Sequence, residues 1–251
     1  MECKVYKGYK MIADYHTHTI FSHGKGTIED NVDWAIKKGL KEIAISDHGP
    51  GHLTYGVKRH SIPVMREEID RLNKLHPEIN IYLSVEANLV NSNNYLDVLP
   101  DEYDLYDFVI AGYHYGVRKG FCISNFLYEH GILKTEARRK KLAERNTEMY
   151  VNAIKNNKLK ILTHPGDKGP VNMEEIAKAC AENNVLMEIN ARHANLTVEE
   201  IKIAMKEDVK FVIDSDAHRS NNVGTFEMGI DRAIEAGLDL SRIVNIEKVE
   251  E

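Results

Sequence analysis

Short runs of β-branched and apolar residues alternate with longer amphipathic segments from one end of the chain to the other. The runs Lys10 to Asp14, Glu42 to Ser46, Ile79 to Val85, Phe108 to Gly112, Lys160 to Thr163, Val185 to Ile189 and Phe211 to Asp214 read as strands. Polar or glycine-bearing residues follow each of them. Strands that alternate with helices predict an α/β architecture, with a parallel sheet joined by right-handed crossovers. The pattern gives about seven such βα units.

The helices between them have legible ends. Thr197-Val-Glu-Glu200 and Asn172-Met-Glu-Glu175 set a capping side chain three residues before a glutamate, the spacing of a capping box. Gly39 and Gly237 each follow a periodic apolar run, where a helix C-terminus favours a left-handed residue. A charged helix is predicted from about Thr135 to Asn157. One long excursion, Tyr113 to Lys134, precedes it. Segments of that length in a compact domain are usually functional, so it reads as a wall or lid over a site.

The chain has 251 residues, 43% hydrophobic and 29% charged, ordinary values for a soluble globular protein. No linker, repeat or like-charge tail divides it, so residues 1–251 read as a single domain. A net charge of -6 argues against a dedicated nucleic-acid binder, which presents a basic face. An anionic small molecule stays open, because bound cations reverse the local field. Cys3, Cys122 and Cys180 are odd in number and far apart, as in a chain whose thiols stay reduced. No run approaches the ~20 apolar residues of a membrane span. The expected location is therefore the cytoplasm, with no membrane partner; nothing in the pattern fixes an oligomeric state.

Placed on this map, the chemistry-bearing residues fall where strands finish. His16 and His18 end the first strand, with His23 shortly after; His48 ends the second, Glu86 the third, His114 the fourth, His164 the fifth, and Asp216 and His218 the seventh. In an α/β barrel those ends share one rim, the face that carries active sites. His16 and His18, two apart on a strand, point to one side and can grip one ion. A lone histidine at a strand end is more often a hydrogen-bonded core residue than a ligand. Seven of the twelve histidines with two carboxylates on one rim are not explained that way.

Glu86 closes the apolar run Leu83-Ser-Val-Glu86, where an unpaired charge is costly. A carboxylate there can bridge two ions. Nine ligands exceed what one tetrahedral or octahedral ion takes while keeping a position open. Three divalent ions fit better, and Zn, Mn and Fe all suit the donors. Asp14 and Asp47 read as acceptors for the second ring N–H of ligand histidines.

The motifs Asp14-Tyr-His16-Thr-His18 with His23, Ser46-Asp47-His48-Gly49-Pro50, Glu86, His114, Thr163-His164-Pro165-Gly166 and Asp214-Ser-Asp216-Ala-His218 resemble those of the PHP family. These are the polymerase and histidinol phosphatase metal-dependent hydrolases. The resemblance spans nearly the whole chain and implies a distorted (β/α)7 TIM-like barrel with a trinuclear metal site, in a stand-alone phosphatase-like member. It also implies a division of ligands. His16, His18, Glu86 and Asp216 would hold one ion, Glu86, His114 and His164 a second, and His23, His48 and His218 a third.

The expected activity is hydrolysis of a small phosphate ester, a phosphomonoester, by hydroxide that the metal site activates for in-line attack at phosphorus. Glu86 and Asp216 are the expected catalytic carboxylates, and a metal-bound water, Asp47 or His52 would protonate the leaving group. Arg192, just past the sixth strand, is placed to pair with phosphate in a bidentate way. Arg118 and His52 are further candidates for substrate binding; Lys168 and Arg219 are weaker ones. His60, His76, His130 and His193 read as background. The alternatives are a PHP-type nuclease or phosphodiesterase, an amidohydrolase-like hydrolase of C–N bonds, and a non-catalytic metal-binding domain. Glu86 and the pair Asp216-Ala-His218 argue against the amidohydrolase.

Overall fold

The computed structural model describes residues 4–92, 94–132 and 134–249; Cys3 lies outside them. A small antiparallel sheet joins β1 (Val5–Tyr6) and β2 (Tyr9–Met11) to a strand at the far end of the chain. Seven parallel strands follow, hydrogen-bonded in sequence order: β3 (Ala13–Thr17), β4 (Glu42–Ile45), β5 (Asn80–Asn88), β6 (Phe108–Gly112), β7 (Leu159–Leu162), β8 (Leu186–Glu188) and β9 (Phe211–Val212). β10 (Ile246–Lys248) then returns to β2. The helices are α1 (Ile28–Lys37), α2 (Ile62–Leu75), α3 (Cys122–Glu129), α4 (Glu136–Asn156), α5 (Met173–Asn183), α6 (Val198–Ala204) and α7 (Glu227–Ala236). The architecture is the α/β fold of seven parallel strands that the alternating pattern implied, and the TIM-like barrel that the resemblance implied.

The first predicted strand, Lys10 to Asp14, is divided in the structure. Tyr9–Met11 belongs to the small sheet and Ala13–Thr17 to the barrel. The division falls at Ile12, whose N–H donates to the Asn245 carbonyl while its own carbonyl accepts from Lys41. β3 therefore runs further than expected, and His16 lies inside it. β5 likewise extends past Val85 to Asn88, so Glu86 is a residue of the strand and not of the loop beyond.

Capping follows the sequence in part. Thr197 and Glu200 form the expected reciprocal box at the start of α6. Asn172 does not cap α5: its amide donates to Glu175 at 2.6 Å, and its backbone N–H goes to Thr147. The capping-box spacing was present there, but Thr147 on α4 competes for the chain entering the helix. Gly39 and Gly237 both take left-handed backbone, with φ of +76° and +74°.

The core lies mostly between the strands and the helices. Ile43, Ile81 and Leu83 pack with Val32, Ile69 and Leu72 in a single buried cluster, and each of these side chains is almost fully removed from water. Burying an aliphatic side chain of that kind contributes about 1.5–3 kcal/mol. A smaller cluster of Ile110, Ile161 and Val212 is separate from it.

The seam between the first and last strands closes in two ways. At the rim, His18 N–H donates to Ala217 O at 2.9 Å and Ala217 N–H returns to His16 O at 3.3 Å. Lower down, Asn245 is wedged between the strands. Its amide donates to Ala13 O at 2.8 Å and to Ile213 O at 2.6 Å, and its Oδ1 accepts from Ile213 N–H at 3.0 Å. Buried side chains, Asn245 and Asp14 among them, thus stand in for a missing ladder.

The excursion of Tyr113 to Lys134 contains α3 and is pinned at its centre. Asn125, fully buried, exchanges amide hydrogen bonds with Asn146 of α4 and donates to Tyr113 Oη at 2.9 Å. Tyr115 Oη reaches Lys168 O at 3.0 Å. These bonds anchor the start of the segment, from which His114 and Tyr115 line the cavity.

Candidate metal centre

All nine expected ligands meet at the C-terminal end of the strands. The parallel ladder continues past β4, where His48 bridges to Glu86, and Gly49 N–H donates to Glu86 O at 2.8 Å. His16 and His18 converge: their Nε2 atoms lie 3.1 Å apart. Glu86 Oε2 stands 3.3 Å from His16 Nε2 and 3.7 Å from His18 Nε2, and Asp216 Oδ1 stands 3.7 and 3.2 Å from the same two atoms. A tetrahedron with ~2.1 Å metal–ligand bonds has edges of about 3.4 Å. These four donors therefore fit one divalent ion.

The other oxygen of Glu86 faces His164 Nε2 at 2.9 Å and His114 Nε2 at 3.3 Å. His218 Nε2 and His23 Nδ1 approach to 2.9 Å. His48 Nδ1 lies 2.9 Å from Glu86 Oε2, yet neither atom has a hydrogen-bond partner. Two buried, unpartnered lone pairs aimed at a common region are what a cation would satisfy. Within reach of one another the donors form overlapping groups: His18, His48 and His218; His16, His164 and Asp216; His16, His18 and Glu86; and His48, Glu86 and His114. His48 thus stands between two groups, where the resemblance had set it with His23 and His218 alone.

The residues that orient these rings are not those expected. Glu188, at the end of β8, accepts from His16 Nδ1 at 2.7 Å and from His164 N–H at 2.6 Å. That leaves the His16 Nε2 lone pair free for an ion. Asn88 Oδ1 does the same for His114 Nδ1 at 2.8 Å. Asp14 and Asp47 take no ligand ring N–H. Asp14 accepts from Ser215 N–H and from Gly224 N–H across the seam. Asp47 accepts from Thr19 and Ser22, fixing the turn ahead of His23, and it does not line the cavity. Short hydroxyl and amide donors reach these carboxylates before a ring can.

Charge is tightly balanced here. Burial alone would raise Glu86, and the surrounding His114 and His16 rings overcome it, holding the carboxyl well below the usual range. Burial alone would lower His16, but Glu86, Glu188 and Asp216 hold it well above the usual histidine value. Burial keeps His114 neutral, with a pKa lowered to about 3; burial and then the His218 and His48 rings bring His23 to about 4. These carboxylates therefore favour a proton on His16, which an ion must displace. Metal uptake should release protons, and affinity should fall as pH falls, because protons compete with the ion for the ring nitrogens. Calorimetry in buffers of different ionisation enthalpy between pH 6 and 8 reads this directly. No net proton release would contradict it.

His164 and Asp216 hold left-handed backbone, with φ of +27° and +48°. Gly112 lies against His164 and Glu86. A methyl group there would press on Thr163 Oγ1 and come within 2.8 Å of His164 Cε1 and 2.9 Å of Glu86 Oε1. Gly112→Ala should cost about 1–3 kcal/mol of stability through overpacking. Its larger effect is expected on metal content, which elemental analysis of the folded variant would report as a loss of bound ion. A full metal complement would refute this.

The ligands open into a cavity of about 230 Å³ that is also lined by His52, Tyr55, Tyr115, Lys168, Arg192 and His193. Arg192 Nη1 lies 3.4 Å from Asp216 Oδ2, and its side chain is 44% exposed. His193 Nε2 lies 3.1 Å from the same oxygen. Asp216 thus presents Oδ1 to the histidines and Oδ2 to two cation-capable groups. Lys168 is paired with Asp167. His52 is tied into the wall: its Nδ1 accepts from Tyr55 N–H at 3.1 Å, and its own strand segment bridges to Val117. Arg118 and Arg219 are exposed and lie outside the lining.

Sequence reasoning passed over Glu188 and His193. Glu188 carried the same signal as Glu86, a carboxylate ending an apolar run, and His193 adjoins Arg192 on the rim.

Known proteins resemble the chain in sequence and in fold. A probable phosphatase of Thermoanaerobacter sp. (strain X514) is 32% identical over 94% of this chain and 91% of its own length. Another, of Shewanella piezotolerans (strain WP3 / JCM 13877), is 28% identical over 94% of this chain and 90% of its own. The fold is similar to that of histidinol phosphate phosphatase from Lactococcus lactis subsp. lactis Il1403, solved with Zn, L-histidinol and phosphate. The TM-score is 0.61 and the identity 17%, over 91% of this chain and 95% of that one. No helix among the described residues is long and apolar enough to cross a membrane. The PHP domain model matches residues 14–192, most of the chain and all of its strands from β3 to β8, and the protein belongs to that family.

Proposed function

We propose that the protein is a phosphomonoesterase working with three divalent ions. The observation that carries this reading is the convergence of nine donors beside Arg192, His193 and Lys168 in one small cavity. In this reading His16, His18, Glu86 and Asp216 hold one ion, Glu86 with His114 and His164 a second, and His23 with His48 and His218 a third. Imidazole and carboxylate donors suit Zn, Mn or Fe. Bound ions would supply Lewis acidity and lower the pKa of a coordinated water toward neutrality.

The chain's own residues do the rest. Glu188 and Asn88 fix ring orientation, so that His16 and His114 present Nε2. Arg192 offers a planar pair of donors to phosphoryl oxygens, and His193 offers a ring N–H beside it. Tyr55, Tyr115 and His52 wall the site and limit its volume. A cavity of about 230 Å³ favours a small monoester over a polymeric strand. We place this activity in the cytoplasm, where Cys122 and Cys180 would remain free thiols.

The test is direct. After loading with Mn or Zn, the protein should hydrolyse p-nitrophenyl phosphate faster than bis(p-nitrophenyl) phosphate, and His16→Ala with Glu86→Gln should abolish turnover. Faster cleavage of the diester, or activity retained in the double variant, would reject the proposal.

A further inference from the structure

Arg192 and His193 sit on a turn that has its own clamp. Asn190 Oδ1 accepts from the backbone N–H of Arg192 and of His193, both at 2.8 Å. Asn190 Nδ2 donates to Glu188 Oε2 at 3.0 Å, which ties the turn to the residue behind His16 and His164. From the other side, Arg232 of α7 donates through Nη1 to His193 O at 2.7 Å and through Nη2 to Asn190 O. Its guanidinium holds both ends of the turn, and its Nε is buried without a partner. Arg232 does not line the cavity.

We propose that Arg232 is a positioning residue for substrate recognition: it fixes the turn of Asn190 to His193 so that Arg192 and His193 receive the anionic end of the substrate. This rests on the phosphate-ester reading above. Among the described residues the Arg192 side chain is held by 3.4 Å contacts to Asp216 and His193, so its aim depends on the backbone beneath it. A turn ordered before binding avoids the entropy cost of ordering it upon binding. Arg232 hydrogen-bonds no metal ligand itself; Asn190 links the turn to Glu188 at 3.0 Å and to Asp216 Oδ2 at 3.4 Å, while Asp216 meets the ligand rings through its other oxygen, Oδ1. Loss of the clamp therefore acts on affinity for the anion and leaves the ions in place.

The experiment uses the full chain loaded with metal, inorganic phosphate as the binding probe and p-nitrophenyl phosphate as substrate. R232Q should raise the inhibition constant for phosphate and KM together by about tenfold. It should change kcat by less than about threefold and leave metal content unchanged. R232K keeps the charge and one donor and should recover part of the loss. Wild-type phosphate affinity in R232Q, or parallel loss of kcat and metal, overturns the proposal. If R232Q does not fold, R232K must still show the KM-weighted loss, and wild-type KM there overturns it equally. Should the unaltered protein neither bind phosphate nor cleave the ester, the proposed function itself fails. If it does both while R232Q is indifferent, only the role of Arg232 is lost.

Discussion

Glu86→Gln should reduce phosphatase turnover by at least about 10³-fold, since a site carboxylate supplies several kcal/mol of charge stabilisation through the ions it holds. The reason lies in its two oxygens. One meets His114 and His164, the other meets His16, His18 and His48, so this one side chain contacts five of the expected ligand rings. An amide keeps the shape but offers one weak acceptor and no negative charge. Elemental analysis should show fewer bound ions, and the rise in melting temperature that added Zn gives a binding-competent protein should shrink. A variant with full metal content and normal turnover would remove Glu86 from the centre of the site.

Asn245→Ala is expected to give the largest loss of stability, about 3–5 kcal/mol. The truncation strands the carbonyls of Ala13 and Ile213 and the N–H of Ile213, all at a buried seam. Each orphaned buried group costs about 1–3 kcal/mol. For a protein of this size that corresponds to a fall of roughly 10 °C in the melting midpoint. Calorimetry or denaturant unfolding reads it, and a change below ~1 kcal/mol would show that water replaces the amide.

How much of this was legible beforehand differs by element. Strands with continuous apolar runs, such as Phe108–Gly112, were readable because burial on both faces leaves an unmistakable composition. The ligands were readable because a metal site demands rare residue types at strand ends. The division at Ile12 was not, because only the distant Asn245 creates it. Asn245 itself gave no signal: an asparagine in a C-terminal segment becomes structural only once the barrel brings its two edges together. The partners of the ligand rings were equally hidden. Asp14 and Asp47 adjoin histidines in sequence, whereas Glu188 is 172 residues from His16 and meets it only across the barrel.

The left-handed backbone at His164 and Asp216 has a bearing on ion choice. Such conformations at residues with side chains cost of order 1–3 kcal/mol each and persist only when the surroundings impose them. Here the surroundings hold them in place: Glu188 grips the His164 amide, and Ala217 is laced to β3. A cation entering this rim has to match spacings already set by the chain, so discrimination among divalent ions falls to radius and coordination geometry, and an ion that needs wider or more numerous contacts finds the walls unwilling to move.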